Sequence, residues 1–371
     1  MNETLFDPLL LQPRLPPEAI YEKPPLFSFI GDQHLPYVVP AIVYWAVSCS
    51  FHLIDAQGWL ASYKVHTPAE FLTRNRVTRS EVIMTVLTQQ FFMAVCGYLM
   101  SDPVETVCSH EYGVAVWAKR VRIALQYTPY LLSIVGIDKH RLGLRLGGDF
   151  GAWLARGYPN ECLINAPNPS DVCLHAVQNF SETELAIASA LYWIIFPVFQ
   201  FLAALVFADT MYYFQHRAFH SIPWLYRNIH SQHHRVYVNF AYGAYYNHAL
   251  EGVPIDGILF PLCLKLAGLT TLQSTVFNVI WTVKVVSDHT GYALPWDPSN
   301  LLCKDSQWYH DLHHQHWGLK YNFSQWTPFW DWCLGTLWDA KHPDAQEKYA
   351  KTKELAEKEF AQKVLKAHEA D

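Results

Sequence analysis

The chain has 371 residues, a formal net charge of −6 and a pI near 6.3, which exclude the basic surface of a nucleic-acid-binding protein. Hydrophobic residues make up 51% of the chain and charged residues only 16%, against about 25% in a typical soluble domain. The eight cysteines form no C-x-x-C pair, which excludes zinc ribbons and thioredoxin-type redox sites. This composition predicts an integral membrane protein.

The first part of the chain alternates apolar stretches with connecting loops. Residues 1–36 are rich in proline and contain no apolar run typical of a cleavable signal. Residues 37–184 are interpreted as N-terminal membrane segments and loops, because the stretches 37–54 and 82–99 approach the roughly 20 residues of a spanning helix. Residues 121–137 are a weaker candidate that suits the membrane interface. In the loop that follows, Cys162 and Cys173 either form a disulfide or remain free thiols, and Asn179 begins a glycosylation sequon.

The strongest apolar stretch, Leu185 to Ala208, follows Ser181-Glu182-Thr183-Glu184, a capping box typical of a helix start. It opens the segment 185–340, interpreted as the catalytic domain. A fourth apolar block, residues 253–286, is interrupted at 268–271 and predicts a helical hairpin, either spanning or re-entrant. Residues 341–371 predict a charged, solvated C-terminal helix with three i,i+4 pairs, namely Glu347 with Lys351, Glu354 with Lys358, and Glu359 with Lys363.

Basic residues give two conflicting indications of orientation. Those at positions 64, 74, 76 and 79 favour a cytosolic loop between the first two stretches, which also puts the chain after Ala208 in the cytosol. The cluster Lys119, Arg120 and Arg122 favours the opposite orientation. The residues alone therefore leave the orientation open.

Histidines carry the chemical signal, since 19 are present and most lie in the second half. Three motifs have helix-compatible spacing: His216 and His220; His230, His233 and His234; and His310, His313 and His314. Residues at i, i+3 and i+4 share one face of a helix, so each motif can direct its imidazoles at one metal region. The single residues His248 and His289 complete the candidate set. Eight to ten histidines exceed the four ligands of a tetrahedral zinc site, so a dinuclear site is predicted.

The identity of the metal follows less directly from the residues. Imidazole suits iron, zinc, copper and nickel alike. An all-histidine dinuclear site beside a membrane favours iron and O₂ chemistry, and leaves zinc open. Metal-bound histidines need their second ring nitrogen oriented by a neighbour. Asp209, Asp288 and Asp311 lie near the motifs and either serve that purpose or act as caps and surface charges. The remaining histidines, His66 among them, are interpreted as packing or surface residues.

The histidine motifs resemble those of the fatty acid hydroxylase/sterol desaturase superfamily, and their contexts resemble its sphinganine C4-hydroxylase branch. The matching contexts are Ala241-Tyr242-Gly243-Ala244-Tyr245-Tyr246-Asn247-His248, Asp288-His289-Thr290-Gly291-Tyr292, Pro295-Trp296-Asp297-Pro298 and Asn322-Phe323-Ser324-Gln325. The resemblance covers about residues 25–340. The chain departs from the family pattern at Ala249, where proline is expected, and at Ser287, where a second Asp is expected; both bear on substrate detail.

The resemblance implies an all-α fold, a polytopic membrane helical bundle with a cytosolic histidine-rich helical cap that holds the dinuclear site. It implies a non-haem di-iron monooxygenase that uses O₂ to hydroxylate carbon 4 of sphinganine or dihydroceramide, forming phytosphingosine-type bases. Electrons would come from NADPH through cytochrome b5 and its reductase, and the enzyme would reside in the endoplasmic reticulum membrane with its histidines facing the cytosol.

Two alternatives remain at this point. One is a sterol desaturase or sterol methyl oxidase of the same superfamily. The other is a histidine-rich membrane metal transporter, which would place its ligands within the spans near the bilayer midplane. Aromatic residues around positions 242–246, 281 and 326–332 either line a lipid channel or mark the membrane interface.

Overall fold

The computed structural model describes residues 13, 15–100, 106–155 and 180–368, and helices dominate this part of the chain, as the all-α expectation requires. The α-helices in chain order are α1 (Leu35–Ala56), α2 (Pro68–Arg74), α3 (Arg79–Met100), α4 (His110–Ile134), α5 (Lys139–Leu146), α6 (Gly148–Ala155), α7 (Glu182–Ala190), α8 (Phe196–Ser221), α9 (Pro223–Asn228), α10 (Ala249–Pro254), α11 (Phe260–Leu266), α12 (Thr271–Asp288), α13 (Ser306–His314), α14 (Phe329–Cys333) and α15 (Pro343–His368). Two π-helical turns, Leu191–Ile195 and Ile255–Leu259, link α7 to α8 and α10 to α11.

By compactness the chain divides into two units, residues 1–24 with 104–200 and residues 25–103 with 201–371. The four segments predicted from the sequence follow other criteria, and that division stays a prediction. Cys162, Cys173 and Asn179 lie outside the described residues, so the disulfide and the sequon also stay predictions.

In the first unit, a buried ion pair joins α4 to α7. Strand β1 (Ile20–Glu22) pairs antiparallel with β2 (Thr106–Cys108), and α4 packs on α7. Arg122 donates to both carboxylate oxygens of Glu184, at 2.9 and 2.7 Å. Glu184 also completes the predicted capping box with Ser181, which is confirmed. The charge of Arg122 is therefore compensated, which weakens its role as an orientation signal.

The core of the second unit surrounds a short aromatic segment. Helix α1 packs along α12, and the 3-10 segment Ala241–Tyr245 lies against α1, α3 and α12. Tyr242 and Tyr246 are buried, and the Tyr44 hydroxyl donates to the Tyr242 carbonyl at 2.8 Å. These tyrosines therefore pack inside the unit.

Three helical stretches of the described chain are long and apolar enough to cross a membrane: Asp32–Ala56, Arg79–Leu99 and Glu182–Ser221. They contain the three main stretches predicted from the sequence. The last has 40 residues, so it is long enough to span and still carry histidines beyond the roughly 30 Å apolar core of a bilayer. The block 253–286 forms helices α11 and α12 with a break close to the predicted one, but it is not among these candidate spans, and neither is 121–137.

The C-terminal helix α15 is more than the solvated helix predicted. The pairs Glu354–Lys358 and Glu359–Lys363 form on its exposed face. Ala345, Tyr349 and Ala356 are buried on the opposite face, which packs on α2. The expectation missed this face because the apolar positions are few and widely spaced.

Candidate metal centre

Nine of the ten predicted histidines converge in the second unit from four segments. They lie near the end of α8 (His216, His220), in the 3-10 segment His230–Arg235 (His230, His233, His234), at the C-cap of α12 (His289) and on α13 (His310, His313, His314). The second motif is therefore not on the predicted α-helix. A 3-10 turn has about three residues, so its histidines still share neighbouring faces of the segment.

These side chains form two groups. Within each group, the potential ligand atoms all lie within 4.8 Å of one another. The first group contains five histidines, His216, His220, His230, His234 and His313, and the second contains four, His233, His289, His310 and His314. The groups adjoin, since the rings of His234 and His314 are 5.0 Å apart. This geometry fits two metal positions side by side.

The ring nitrogens in the first group need a cation between them. His216 Nδ1 donates to the Phe323 carbonyl at 2.8 Å, and His230 Nδ1 donates to the Glu251 carboxylate at 2.7 Å. In the neutral form that binds metals, an imidazole has a single N–H, so both Nε2 atoms would present lone pairs; these atoms lie 3.2 Å apart. Ligands about 2.1 Å from one ion lie about 3.0–3.4 Å from each other, so a shared metal ion explains this contact.

The second group repeats the arrangement. His289 Nδ1 donates to the Val285 carbonyl at 2.8 Å and His314 Nδ1 to the Val236 carbonyl at 2.9 Å. Their Nε2 atoms lie 3.0 and 3.1 Å from His310 Nε2, which has one proton at most to share between them. In the first group, the buried Nε2 of His313 has no hydrogen-bond partner at all. Buried polar nitrogens of this kind are costly unless they bind an ion.

Burial keeps these histidines in the neutral form that binds metals. It lowers the pKa of His233, His234, His310, His313 and His314 well below 6.5, and the neighbouring imidazoles lower it further. Burial likewise lowers the pKa of His289 to about 4. These six imidazoles are therefore uncharged at neutral pH, the form that binds divalent cations.

His248, the tenth candidate, lies outside both groups. It caps the start of α10, where its Nδ1 accepts from the Leu250 N–H at 3.1 Å. The three predicted aspartates also contact none of the nine grouped histidines. Asp209 accepts from the N–H groups of residues 325–327, Asp288 pairs with Lys284, and Asp311 pairs with His66. Each of them holds a neighbouring segment in position.

Sequence reasoning missed the carboxylate that contacts a grouped histidine. Glu251, in the first turn of α10, is buried and accepts from His230 Nδ1. It lies 21 residues from His230 with no motif connecting them, so only the resemblance around Asn247-His248 pointed to this region.

His66, interpreted from the sequence as a packing or surface residue, makes polar contacts that the sequence did not predict. It is buried, and its two ring nitrogens contact Glu70 at 2.9 Å and Asp311 at 3.0 Å. Asp311 also accepts from the Tyr349 hydroxyl at 2.8 Å. Because Asp311 follows His310 directly, this network fixes α13 against α2 and α15. The i,i+4 spacing of His66 and Glu70 is the only local signal of this contact in the sequence.

Two cavities beside the histidines share part of their lining. One, of about 60 Å³, is lined by His216, His230 and His289 together with Tyr212 and Asp256. The other, of about 320 Å³, is mainly apolar and is lined by residues of α1, α3, α11 and α12. Tyr212, Tyr245 and Asp256 line both cavities, so they mark the junction between an apolar chamber and the candidate metal centre.

Comparisons with known proteins agree with this site. The Fatty acid hydroxylase family matches residues 201–336, which include all nine grouped histidines. The chain is 31% identical to sphingolipid C4-hydroxylase sur2 of Schizosaccharomyces pombe, over 85% of this chain and 92% of that protein. It is 31% identical to sphinganine C4-monooxygenase 1 of Arabidopsis thaliana, over 83% of this chain and 88% of that protein.

A further relative has a different activity in its name. The chain is 44% identical to a very-long-chain aldehyde decarbonylase of Oryza sativa subsp. japonica, over 84% of this chain and 91% of that protein. No solved structure matches the chain. The chain belongs to the fatty acid hydroxylase family, a class of membrane oxidoreductases, and its relatives include enzymes of sphingolipid metabolism.

Proposed function

We propose that this protein is a sphingolipid C4-hydroxylase, which adds a hydroxyl group to carbon 4 of sphinganine or dihydroceramide. The observation that carries the proposal is the pair of adjoining histidine groups, which line a small cavity next to an apolar chamber. An unactivated methylene of a lipid chain needs both features, an oxidising metal centre and a channel that holds one carbon beside it.

In this proposal the nine grouped histidines are the metal ligands, and the metal is iron rather than zinc. Two iron ions bound there would supply O₂ activation for hydroxylation of a C–H bond. The chain's own residues keep the ligands in place: carbonyl groups and Glu251 hold the Nδ1 protons, so each Nε2 stays free to bind. The buried site excludes water from the reacting carbon.

The electron supply and the location belong to the same proposal. NADPH electrons would arrive through cytochrome b5 and its reductase as separate partners. The enzyme would be a multi-pass protein of the endoplasmic reticulum membrane, with the 185–340 segment as its catalytic domain and the histidines facing the cytosol. The position of His216 and His220 at the end of a 40-residue apolar helix supports ligands beyond the membrane core. It disfavours a transporter with ligands at mid-membrane.

A second candidate is an aldehyde decarbonylase, which the 44% identity to the rice enzyme favours. Such an enzyme would act on a neutral aldehyde at the chain end, not on a methylene beside a polar head. Sterol oxidation by the same centre is a third possibility. A lipid profile distinguishes it from the other two, because only this reaction changes the sterols.

Lipid analysis in cells that lack their own sphinganine C4-hydroxylase tests the proposal. The cells would express wild type or His313→Ala, and phytosphingosine-type bases, sterols, aldehydes and alkanes would be quantified by mass spectrometry. We expect wild type to restore 4-hydroxylated bases and His313→Ala to restore none. Alkane accumulation at the expense of aldehydes, or a changed sterol profile without 4-hydroxylated bases, would overturn the assignment in favour of the corresponding rival.

A further inference from the structure

The junction between the two cavities carries an acidic pair that no lysine or arginine of the described residues neutralises. Asp256 lies in the π-helical turn Ile255–Leu259, and Glu251 lies one turn earlier on α10. Both line the small cavity beside His216 and His230. Within the described ranges, no lysine or arginine forms an ion pair with either carboxylate. Tyr212 donates to Asp256 through its hydroxyl, and His230 donates to Glu251.

The local backbone directs Asp256 at the junction. A π-helical turn inserts an extra residue into a helix and changes the direction of the side chains that follow, and such turns are frequent at functional sites. Here the turn follows Pro254 and precedes α11, which begins at Phe260. Because Asp256 lines both cavities, it would border any molecule that extends from the apolar chamber to the histidines.

A second observation points independently to a polar ligand at this place. Gln89 is 3% exposed and lines the apolar chamber, yet neither its amide nitrogen nor its amide oxygen has a hydrogen-bond partner. Oδ1 of Asn278, in the same chamber, and Oε2 of Glu251, beside the histidines, are also buried and unpaired. A purely hydrocarbon ligand would leave all of these atoms unsatisfied, at a cost for each.

We propose that Asp256, with Glu251 as a second carboxylate nearby, binds the ammonium group of a free long-chain base. As a result, the free base is the preferred substrate over its N-acylated form. The inference rests on the proposed function. In sphinganine the amine is three bonds from carbon 4, so an ammonium group at Asp256 keeps that carbon close to the histidines of the same cavity. The alkyl chain then occupies the apolar chamber, and the amide of Gln89 hydrogen-bonds the hydroxyl groups.

Charge explains the expected selectivity. A carboxylate in an apolar surrounding is stabilised strongly by an opposite charge and much less by a neutral amide. An aldehyde or an N-acylated base carries no ammonium group, so Asp256 would keep only the hydrogen bond from the Tyr212 hydroxyl. The junction therefore favours a cationic lipid over either neutral one.

Equilibrium binding tests the inference without turnover. Full-length, metal-loaded protein in detergent would be titrated with sphinganine and with N-acetylsphinganine, which lacks the positive charge. We expect wild type to bind sphinganine about 10–100-fold more tightly. Asp256→Asn should abolish this preference by weakening sphinganine alone, whereas Asp256→Glu and the exposed control Glu347→Gln should retain it.

Equal affinity of wild type for the two lipids would overturn the inference, and this comparison needs no variant. A preference that survives in Asp256→Asn, or an equal loss for both lipids, would also overturn it, since Asp256 would then only support Tyr212. The cell assay of the proposed function gives a result that is independent of this binding test. Absence of 4-hydroxylated bases with the amine preference intact rejects the proposed reaction, and product formation without that preference rejects the role of Asp256.

Discussion

Single residues in the centre differ in what holds their second ring nitrogen. His216, His289 and His314 donate to backbone carbonyls, which mutation of a side chain leaves unchanged. His230 donates to the Glu251 carboxylate, a stronger acceptor that also makes the imidazole a better ligand. Among these four candidate ligands, His230 is therefore the one whose metal affinity a side-chain substitution can change most directly.

Replacing Glu251 by Gln should weaken metal retention at the first group. The amide keeps the shape but removes the negative charge, and losses of about 10–100-fold in affinity or activity are typical for such neighbours. Metal content after dialysis against a graded chelator series, and 4-hydroxylated product in cells, would measure the effect. The exposed Glu347→Gln variant is the control, and equal metal retention in both variants would contradict this role.

His248 provides the complementary prediction. Since its Nδ1 caps α10 and it lies outside both groups, His248→Ala should keep its metal and lose at most about 1–2 kcal/mol of stability through the lost cap. His313→Ala, by contrast, removes a fully buried ligand. Metal analysis of the two variants side by side checks this, and a comparable metal loss in His248→Ala would mean that His248 is a ligand after all.

At the scale of elements, the helix that carries three of the histidines is held by charges. Helix α13 is joined to α2 through His66 and Asp311, and to α15 through Tyr349 and Asp311. Burial alone would lower the pKa of His66, but the Asp311 and Glu70 carboxylates outweigh it and raise the pKa to about 9. The protonated imidazole of His66 therefore connects Glu70 of α2 to Asp311 of α13 at neutral pH.

This network predicts a loss of stability in alkali. A histidine whose pKa rises on folding contributes fully below its unfolded value of about 6.5, and that contribution disappears as the pH rises through about 9. The rise corresponds to roughly 3 kcal/mol. Thermal inactivation between pH 6 and 10 should show a decline in wild type that is absent in His66→Gln and present in the exposed control His342→Gln. Parallel curves for wild type and His66→Gln would refute this.

The predictable parts of the structure were those with local signals. The capping box at Ser181, the three apolar stretches and the histidine spacing each depend on residues within a few positions of one another, and the structure contains all of them. Glu251, His66 and Asp256 have hydrogen-bond partners 21 to 245 positions away in the sequence. Periodic patterns in a sequence do not predict contacts over such separations. For Asp209, Asp288 and Asp311 the sequence left two roles open, and in the structure their hydrogen bonds go to neighbouring segments.

At the scale of the whole molecule, the second unit contains the features that a lipid oxidation site needs. Long apolar helices suit a membrane location, an apolar chamber has the character that a lipid chain needs, and histidines of both groups line the small cavity beside it. Ligands drawn from four segments over nearly one hundred residues make the centre dependent on the folded unit. Metal binding should in turn stabilise that fold.

The most direct measurement is the metal content of purified full-length protein, determined by mass spectrometry for wild type and for one variant from each group. We predict about two metal ions per chain in wild type, with iron the metal that supports activity, and loss of about one ion in His313→Ala and in His289→Ala. The double variant should retain none. A single ion per wild-type chain, or undiminished metal in the folded double variant, would contradict a dinuclear centre built from these nine histidines.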